Sequence, residues 1–508
     1  MSGVDLRVFA DYARDFREEV DVVVVGSGPG GAVAAAELTA AGHRVALLEE
    51  GPPFTPQDYA HDGGISMART MREGGLRTTL GTVMPTMQAI ALGGGSLVNS
   101  AICNRTPAFV LDRWCSDFGL AHTHLADLDP HYDATGAVVG VSPTPEAVQG
   151  RRNLLFRDGC DALGYQSEPI SRNVRGCLGS GECFTGCRSR AKQSMDVTYV
   201  PDALRGGASV LTSARVEAIE SDGARATGVV GRIVAPFTGR PSHRFAIRAR
   251  AVVLAAGCMA TPVLLRRSGD LANRSGQVGR NLQFHPGVAV LGVFPDRVDP
   301  QLGATQGYQS RQFLAEGFKL ETLWAPPAVL AVRMPGSGLE LKEGLAALPW
   351  SAVWDAIGSC NHSLGRVEPR RGTLDPNISW RLHEDDVPIL ARALYVLAEI
   401  FFAAGATRIL PGVHGVAPVL HSLAEADVLR RHPLRPQDLV IGGNHAFCTT
   451  RMHGDPRRGV VDELGRCHDL ENLWIADSGV FPRCPSVNPM WTVMALARRT
   501  ARALAERL

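Results

Sequence analysis

The hydrophobic positions near the start of the chain predict a strand, a helix and a second strand in succession. Residues 21–25, DVVVV, form a short β-branched run that is typical of a buried parallel strand. A glycine-rich turn and an Ala-rich helical stretch, AVAAAELTAAG, follow and end at Gly42. The next apolar run, RVALLEE, ends in acidic residues. This order predicts a strand–helix–strand unit.

Two further buried strands lie far downstream, at RAVVLAAG (250–257) and NLWIADS (472–478). The parallel sheet is therefore predicted to form from distant segments, with residues 296–434 inserted between them. The insertion contains alternating stretches, FKLETLW and PNISWRL, which predict antiparallel strands. It also contains VPILARALYVLAEIFFAAGA, whose apolar positions recur at helical spacing and predict a helix that covers one sheet face.

Composition narrows the class of protein. The chain has 508 residues, of which 45% are hydrophobic and 20% charged, and its net charge is +1. These values favour a folded protein of two domains, or of one domain with a large insertion, and give no electrostatic reason to expect nucleic acid as a partner. The charged N-terminus does not resemble a signal peptide and no apolar run is long enough to span a membrane, so a cytoplasmic location without membrane attachment is expected. Oligomeric state is not predicted.

The turn after the first strand carries a nucleotide-binding fingerprint. Gly26, Gly28 and Gly31 form GxGxxG, in which the first glycine permits the turn and the second lets the backbone approach a pyrophosphate. The third glycine allows close packing of helix and strand, and the helix N-terminus favours phosphate charge. Glu49 ends the second strand, where an acid hydrogen-bonds ribose hydroxyls. The fingerprint predicts dinucleotide binding but does not separate FAD from NAD.

Four other stretches resemble the glucose–methanol–choline (GMC) oxidoreductase family, in the family's order. They are LGGGSLVN (92–99), AAGCMATPVLLRRSG (255–269), VGRNLQFHP (278–286) and a C-terminal block over 445–499. The resemblance implies an α/β fold, with a Rossmann-type FAD-binding domain and an inserted α+β substrate domain built on an antiparallel sheet. It also implies an FAD-dependent enzyme that oxidises an alcohol to an aldehyde or ketone.

On this basis the chain is divided into four parts. Residues 18–150, 151–295 and 435–508 form the FAD-binding domain, the second with a cysteine-containing loop and the third with the catalytic residues. Residues 296–434 form the substrate-binding domain.

The resemblance also assigns candidate site residues. His445 falls on the family's active-site histidine and Asn488 on the neighbouring His/Asn position. The expected FAD contacts are Gly26, Gly28, Gly31, Glu49, Gly94, Gly95, Asn99, Val216, Asp477, Asn488 and Pro489. Two departures are visible: Val98 stands where members with covalent flavin have histidine, so FAD is expected to bind non-covalently. Cys448 adds bulk that is expected to narrow the pocket.

The implied chemistry moves a hydride from carbon to flavin and a proton from oxygen to a base. His445 is the predicted base, since imidazole has a pKa near neutrality. Asn488 is predicted to orient the hydroxyl and stabilise the developing alkoxide. The stretch after it predicts a helix whose N-terminus faces the flavin. Dioxygen or another acceptor must reoxidise the flavin, and an oxidase that releases peroxide is favoured.

Cysteines 177, 183 and 187 form a cluster whose spacings match neither a zinc finger nor a ferredoxin. A metal site, a disulfide and reduced structural thiols all stay open, and no metal is included in the predicted site. Lys192 and Ser194 are expected on a loop near the flavin. His285, His421 and His453 are interpreted as structural.

The sequence leaves the substrate open. Low aromatic content (6%) and polar groups in the insertion favour a small polar alcohol such as a sugar, polyol or amino sugar. A steroid or aliphatic alcohol is the alternative. A lyase or isomerase that uses FAD structurally, and a non-catalytic NAD-binding or redox-sensing protein that uses the three cysteines, are the competing functions.

Overall fold

The computed structural model describes residues 4–60, 62–331 and 334–508. Its strands are β1 (Leu6–Arg7), β2 (Phe16–Val25), β3 (Val45–Leu48), β4 (Leu80–Gly81), β5 (Val141–Pro143), β6 (Glu168–Pro169), β7 (Ser171–Asn173), β8 (Ser209–Leu211), β9 (Ala214–Ser221), β10 (Ala226–Val234), β11 (Pro241–Leu254), β12 (Gln283–Phe284), β13 (Gly287–Val293), β14 (Tyr308–Ser310), β15 (Phe318–Leu323), β16 (Ser351–Gly358), β17 (Gly365–Pro369), β18 (Pro376–Trp380), β19 (Arg408–Leu410), β20 (Ala446–Phe447) and β21 (Leu473–Ile475). Its α-helices are α1 (Pro29–Ala40), α2 (Gly63–Thr70), α3 (Ala108–Phe118), α4 (Leu125–Val139), α5 (Arg151–Leu163), α6 (Tyr199–Arg205), α7 (Ala260–Arg267), α8 (Pro327–Ala331), α9 (Leu339–Ala346), α10 (Val387–Ala403), α11 (Leu423–Ala426), α12 (Val428–Arg431) and α13 (Met490–Ala505).

The larger sheet is assembled, as predicted, from strands that are distant in the sequence. Its order is β1-β8-β3-β2-β11-β10-β9, and β21 pairs with the end of β11. Strands β2, β3, β11 and β21 run parallel, with Val23 opposite Val252 and Leu254 opposite Ile475. The valines of β2 are buried because helices cover this part of the sheet, which explains the continuous apolar run in place of alternation.

Helix α1 connects β2 to β3 and positions the fingerprint turn. It begins at Pro29 with Gly28 as its N-cap, and it ends before Gly42, whose φ of 91° is one that glycine adopts easily. The C-terminal helix α13 packs against α1. Both helices therefore begin near the carboxyl ends of the parallel strands, where α/β sheets bind ligands.

The second sheet has six strands in the order β19-β13-β16-β15-β14-β6, and the pairs are antiparallel. The predicted stretch FKLETLW forms β15, and the predicted amphipathic helix forms α10. Helix α10 covers the face that carries Phe318 and Leu320, where Phe401 stacks on Trp354 with ring centroids 3.7 Å apart. Lys319 and Glu321 therefore point to the opposite face, because side chains alternate along a strand.

PNISWRL also forms a strand, β18, but it lies in a separate three-stranded sheet with β17 and β4, and its pairing with β4 is parallel. The six-stranded sheet also contains β6 and β13, which precede residue 296 and lie in the predicted second part of the FAD-binding domain. The four domain boundaries remain a prediction. Among the described residues, no helix is both long and apolar enough to cross a membrane.

Candidate functional site

A cavity of about 1860 Å³ is lined by residues of both sheets. It brings together segments that are distant in sequence, including the fingerprint turn, the loop at 92–99 and the C-terminal block. The predicted site residues that line it are Gly26, Gly28, Glu49, Gly94, Gly95, Asn99, Val216, His445, Asp477, Asn488 and Pro489. Gly31 lies beneath the turn, where an added Cβ would stand 1.8 Å from the Gly26 carbonyl oxygen.

The glycines of the fingerprint turn and of the loop at 92–99 form one wall of the cavity, and they fit a bound pyrophosphate. A Cβ added to Gly28 would find its nearest neighbour, Gly94 Cα, at 3.9 Å, and one added to Gly95 would meet nothing within 4 Å. At these two positions the backbone is therefore open to the cavity. At Gly31 the space for a side chain is filled by the backbone of the same chain. Open backbone beside the N-terminus of α1 is what a dinucleotide phosphate requires.

Ser27 connects the parts of this wall, a role that the sequence analysis missed because the position is variable in GxGxxG. The Gly93 N–H donates to Ser27 Oγ at 2.9 Å, and the Ser27 hydroxyl donates to Glu49 Oε2 at 2.6 Å. Glu49 also accepts from the Gly51 N–H. Burial raises the pKa of Glu49, against the lowering effect of these hydrogen bonds.

Asp477 joins the C-terminal block to the family segment at 255–269. Its Oδ2 accepts from the Gly257 N–H and the Thr261 hydroxyl, and its Oδ1 accepts from the Gly479 N–H at 2.8 Å. Burial raises its pKa, and the three hydrogen bonds oppose that shift. The carboxylate therefore orders the backbone around this end of the cavity.

His445 does not stand alone. Its Nδ1 lies 3.0 Å from Nδ1 of His285, and both side chains line the cavity. Burial lowers the pKa of His445 to about 4; Glu321 opposes this shift and Lys319 adds to it. Burial also lowers the pKa of His285 well below its usual value. The predicted base is therefore neutral at physiological pH. His285, which the sequence analysis interpreted as structural, is in contact with it.

Asn488 sits in a buried polar network that the sequence analysis did not find. Its Oδ1 accepts from Lys319 Nζ at 2.6 Å and from Asn104 Nδ2 at 3.2 Å, while its Nδ2 donates to Glu321 at 3.4 Å. Gln309 accepts from both Lys319 and Asn104. Lys319 is 0% exposed and Glu321 is 3% exposed, and the pair is 2.6 Å apart.

The charge states of this pair follow from its geometry. Burial raises the pKa of Glu321, but the adjacent ammonium of Lys319 outweighs burial and the pKa is lowered overall. The residue names were visible in FKLETLW, since alternation put both charges on one face. The pattern does not say whether that face meets solvent or a cavity.

Other predicted residues lie elsewhere. Cys448 is 1% exposed and its Sγ faces Gln283, so it does not narrow the cavity; the positive φ of 76° at this residue turns its side chain into the core. His453 accepts from the Asp455 N–H, as a structural histidine does. Within the described ranges, no group of three or more His, Cys, Asp or Glu side chains could hold a metal ion. Cys177, Cys183 and Cys187 are not joined in disulfides in this structure.

Comparison with known proteins identifies the family. Residues 67–287 and 362–497 match two models described as GMC oxidoreductase, and residues 21–91 match an FAD binding domain. A protein named as an uncharacterized GMC-type oxidoreductase of Mycobacterium tuberculosis is 34% identical over 488 residues, which are 95% of this chain and 75% of that protein. The chain belongs to the GMC oxidoreductase family. It is accordingly an FAD-dependent oxidoreductase that acts on alcohols, and the predicted cofactor is confirmed.

Other relatives differ in what their names describe. A long-chain-alcohol oxidase of Arabidopsis thaliana is 30% identical and aligns with 95% of this chain and 67% of its own length. A 2-methyl-1,2-propanediol dehydrogenase of Mycolicibacterium austroafricanum is 26% identical, with 96% of each chain covered.

Solved structures confirm the predicted fold class. Pyridoxine 4-oxidase from "Mesorbium loti" superposes with a TM-score of 0.71 at 20% identity, covering 95% of this chain and 98% of that one. A formate oxidase variant from Aspergillus oryzae superposes with a TM-score of 0.75 at 16% identity, covering 97% and 99%.

Proposed function

We propose that His445 is the base that takes the hydroxyl proton of the alcohol. A base must be neutral to accept a proton, and burial keeps His445 neutral. FAD, when bound, accepts the hydride that leaves the alcohol carbon. His445 lines the same cavity as Gly95 and Asn99 of the predicted flavin loop, which supports a substrate bound between the base and the flavin.

We infer that His285 sets the tautomer of this base. Only one proton can lie between two Nδ1 atoms that are 3.0 Å apart. If His445 Nδ1–H donates to His285, then His445 Nε2 keeps a free lone pair for the alcohol. The hydrogen bond to His285 is the single observation that supports the base assignment best, because it gives the imidazole one defined orientation.

Asn488 is proposed as the group that binds the hydroxyl oxygen. Lys319 and Asn104 both donate to its Oδ1, so the amide is held with Nδ2 as its donor. The contact from Nδ2 to Glu321 is long, at 3.4 Å. The amide N–H is therefore positioned to stabilise negative charge as it develops on the substrate oxygen.

We also infer that FAD is held without a covalent bond. The residue before Asn99 is Val98, which lines the cavity and has no nucleophilic atom.

For the substrate we propose an alcohol with an aliphatic body. Apolar side chains of the six-stranded sheet and its neighbouring loops contribute to the lining of the cavity, including Leu323, Ile357, Leu439 and Ile441. The Arabidopsis relative is named a long-chain-alcohol oxidase, which agrees with such a lining. The polar alcohol favoured by the sequence is the second candidate, since Glu321 and Asp355 face the cavity from adjacent strands.

The test of the base is the rate of flavin reduction by alcohol without oxygen. His445→Ala should keep the flavin absorption spectrum and slow reduction at least ~100-fold, which is the usual contribution of a positioned base. Asn488→Ala should slow it less, because it removes a hydrogen bond and leaves the proton acceptor. An unchanged single-turnover rate in His445→Ala would remove this histidine from the mechanism.

The substrate is tested in the same assay with two series of alcohols. Primary alkanols of increasing chain length should reduce the flavin with falling KM if the body is aliphatic. Sugars and polyols that react faster than every alkanol would favour the polar candidate instead.

Dioxygen is proposed as the electron acceptor. Relatives of both kinds exist, since one is named an oxidase and another a dehydrogenase. Turnover in air should yield one peroxide per product. Little peroxide, with fast turnover on a quinone or phenazine dye, would make the enzyme a dehydrogenase.

A further inference from the structure

Cys183 lies among buried cations, in a loop next to the predicted flavin segment at residues 92–99. Its Sγ accepts from Arg172 Nη2 at 3.0 Å, and the other terminal nitrogen of the same guanidinium lies 3.9 Å from Cys177 Sγ. Arg172 is 0% exposed and Lys192 is 1% exposed. Arg152, which is also buried, hydrogen-bonds only to main-chain carbonyls among the described residues.

Two cations lie nearest the sulfur, Arg172 and Lys192; burial lowers the pKa of Lys192, and the negative charge of Cys183 opposes that shift. Arginine does not lose its proton in proteins. Lys192 Nζ donates to three carbonyl oxygens, those of Leu97, Asn99 and Cys183, at 2.6 to 2.9 Å. Three acceptors match the three protons of an ammonium group, whereas a neutral amine has two.

Negative charge is scarce around these groups. Within the described residues, no carboxylate forms a hydrogen bond or ion pair with Arg152, Arg172 or Lys192. Asp196 acts on Lys192 through space, and its Oδ1 accepts from Ser194. Buried charge without a partner is costly, so the sulfur of Cys183 is the available counter-charge. Burial raises the pKa of Cys183, but Arg172 and Lys192 outweigh burial and lower it overall.

We propose that Cys183 is a resting thiolate and the site at which a peroxide oxidises this protein, with Cys177 as the thiol that closes a disulfide. A thiolate, not a thiol, is the nucleophile toward peroxides. Cys177 is the partner because its sulfur approaches the same guanidinium. The proposal does not depend on this enzyme making the peroxide.

The chemistry balances in two steps. The Cys183 sulfur attacks one oxygen of the peroxide, the O–O bond breaks, and the sulfur becomes a sulfenic acid while the other oxygen leaves as hydroxide and takes a proton from solvent. The Cys177 thiol then loses its proton and attacks that sulfur; the S–O bond breaks, water leaves and a disulfide forms. Peroxide is reduced by two electrons, and the two thiols supply them.

Oxidation would act on the flavin segment through Lys192. This ammonium ties the Leu97 and Asn99 carbonyls to the Cys183 loop. A disulfide removes the negative charge of the Cys183 thiolate. The Lys192 ammonium is then less stabilised at its buried position. We expect the oxidised protein to hold FAD less tightly and dithiothreitol to restore it.

The first experiment measures alkylation of each cysteine in the holoenzyme by iodoacetamide, with mass spectrometry of peptides, at several pH values. An ordinary thiol slows about 50-fold between pH 8.5 and pH 6.5, because its thiolate fraction falls. The rate at Cys183 should stay nearly level over this range. Cys160 is the internal control, since it is also buried and burial raises its pKa to about 12. A rate at Cys183 that falls like that of a free thiol would overturn the proposal.

The second experiment treats the holoenzyme with hydrogen peroxide and maps disulfides and dimedone adducts. Wild type should gain a Cys177–Cys183 disulfide, and Cys177→Ser should accumulate the dimedone adduct at Cys183. Cys187→Ser is the matched control from the same loop and should behave like wild type. A disulfide that includes Cys187, or a Cys183 that stays unmodified while surface methionines oxidise, would contradict the assignment.

Discussion

The two walls of the cavity are built on different principles. The wall at Gly28 and Gly94 is backbone brought to the surface by glycines, and its order comes from short-range hydrogen bonds around Ser27. The wall at Glu321 and Asn488 is built from side chains, and the Glu321 carboxylate is paired with the buried ammonium of Lys319. The first wall suits a cofactor with a fixed shape, and the second suits the proton and charge changes of the reaction.

The largest expected effect comes from breaking the buried pair. Lys319→Met leaves Glu321 without its counter-charge, and loss of one partner of a buried pair costs about 3–5 kcal/mol. We expect a large fall in Tm and in the denaturant midpoint, with loss of the hydrogen bond that orients Asn488.

The matched control is the double variant Lys319→Met/Glu321→Gln, which removes both charges. It should recover most of the stability, because no uncompensated charge stays buried. Equal stability of the single and double variants would mean that the pair does not set the energetics of this wall.

This difference also explains what the sequence could predict. GxGxxG lies within one turn, so its strand, helix and acid could be found from order alone, and Glu49 and Asp477 do line the cavity. The Asn488 network joins residues from 104, 309, 319 and 321. These positions meet only after two sheets have formed, and alternation in β15 gave the strand without saying which face is buried.

The second prediction separates glycines that serve packing from glycines that serve the cofactor. Gly31→Ala would put Cβ 1.8 Å from a backbone oxygen, so the chain must shift at a cost of about 1–3 kcal/mol, even without FAD. Gly28→Ala meets no atom of the protein closer than 3.9 Å and should leave the Tm of the FAD-free protein unchanged while lowering flavin content. The measurements are the Tm of the FAD-free protein and the flavin per chain; the idea fails if Gly28→Ala retains FAD like wild type.

His285 shows a further limit of sequence interpretation, because its place in a family motif gave no indication of its contact with His445. That contact depends on the antiparallel pairing of β12 with β20, which carry Phe284 opposite Ala446. His285 directly follows β12, and His445 directly precedes β20. Each strand is too short for a hydrophobic pattern to predict it.

The third prediction tests that contact. His285→Phe removes the hydrogen bond at Nδ1 and should slow flavin reduction about 10-fold, as expected for a bond worth roughly 1.4 kcal/mol. His285→Asn retains a polar atom near the Nδ1 position and should recover part of the rate. A purely structural role predicts instead that both variants change Tm and leave the single-turnover rate and its pH profile alone.

The last effect is a pH dependence of stability to which His445 contributes. The pKa of His445 is about 4 in the folded protein, lowered by burial from its ordinary value of 6.5. Between these values the unfolded chain binds a proton that the folded chain does not, so stability must rise with pH across this window and fall as pH drops from about 6.5 toward 4. We expect the Tm of wild type to decline more steeply over this range than the Tm of His445→Asn, which has no group to titrate there. The rate of flavin reduction should stay level down to about pH 5 and fall below it, since the base becomes protonated only then. Parallel Tm curves for the two proteins would show that His445 is more solvated than its place in the cavity implies.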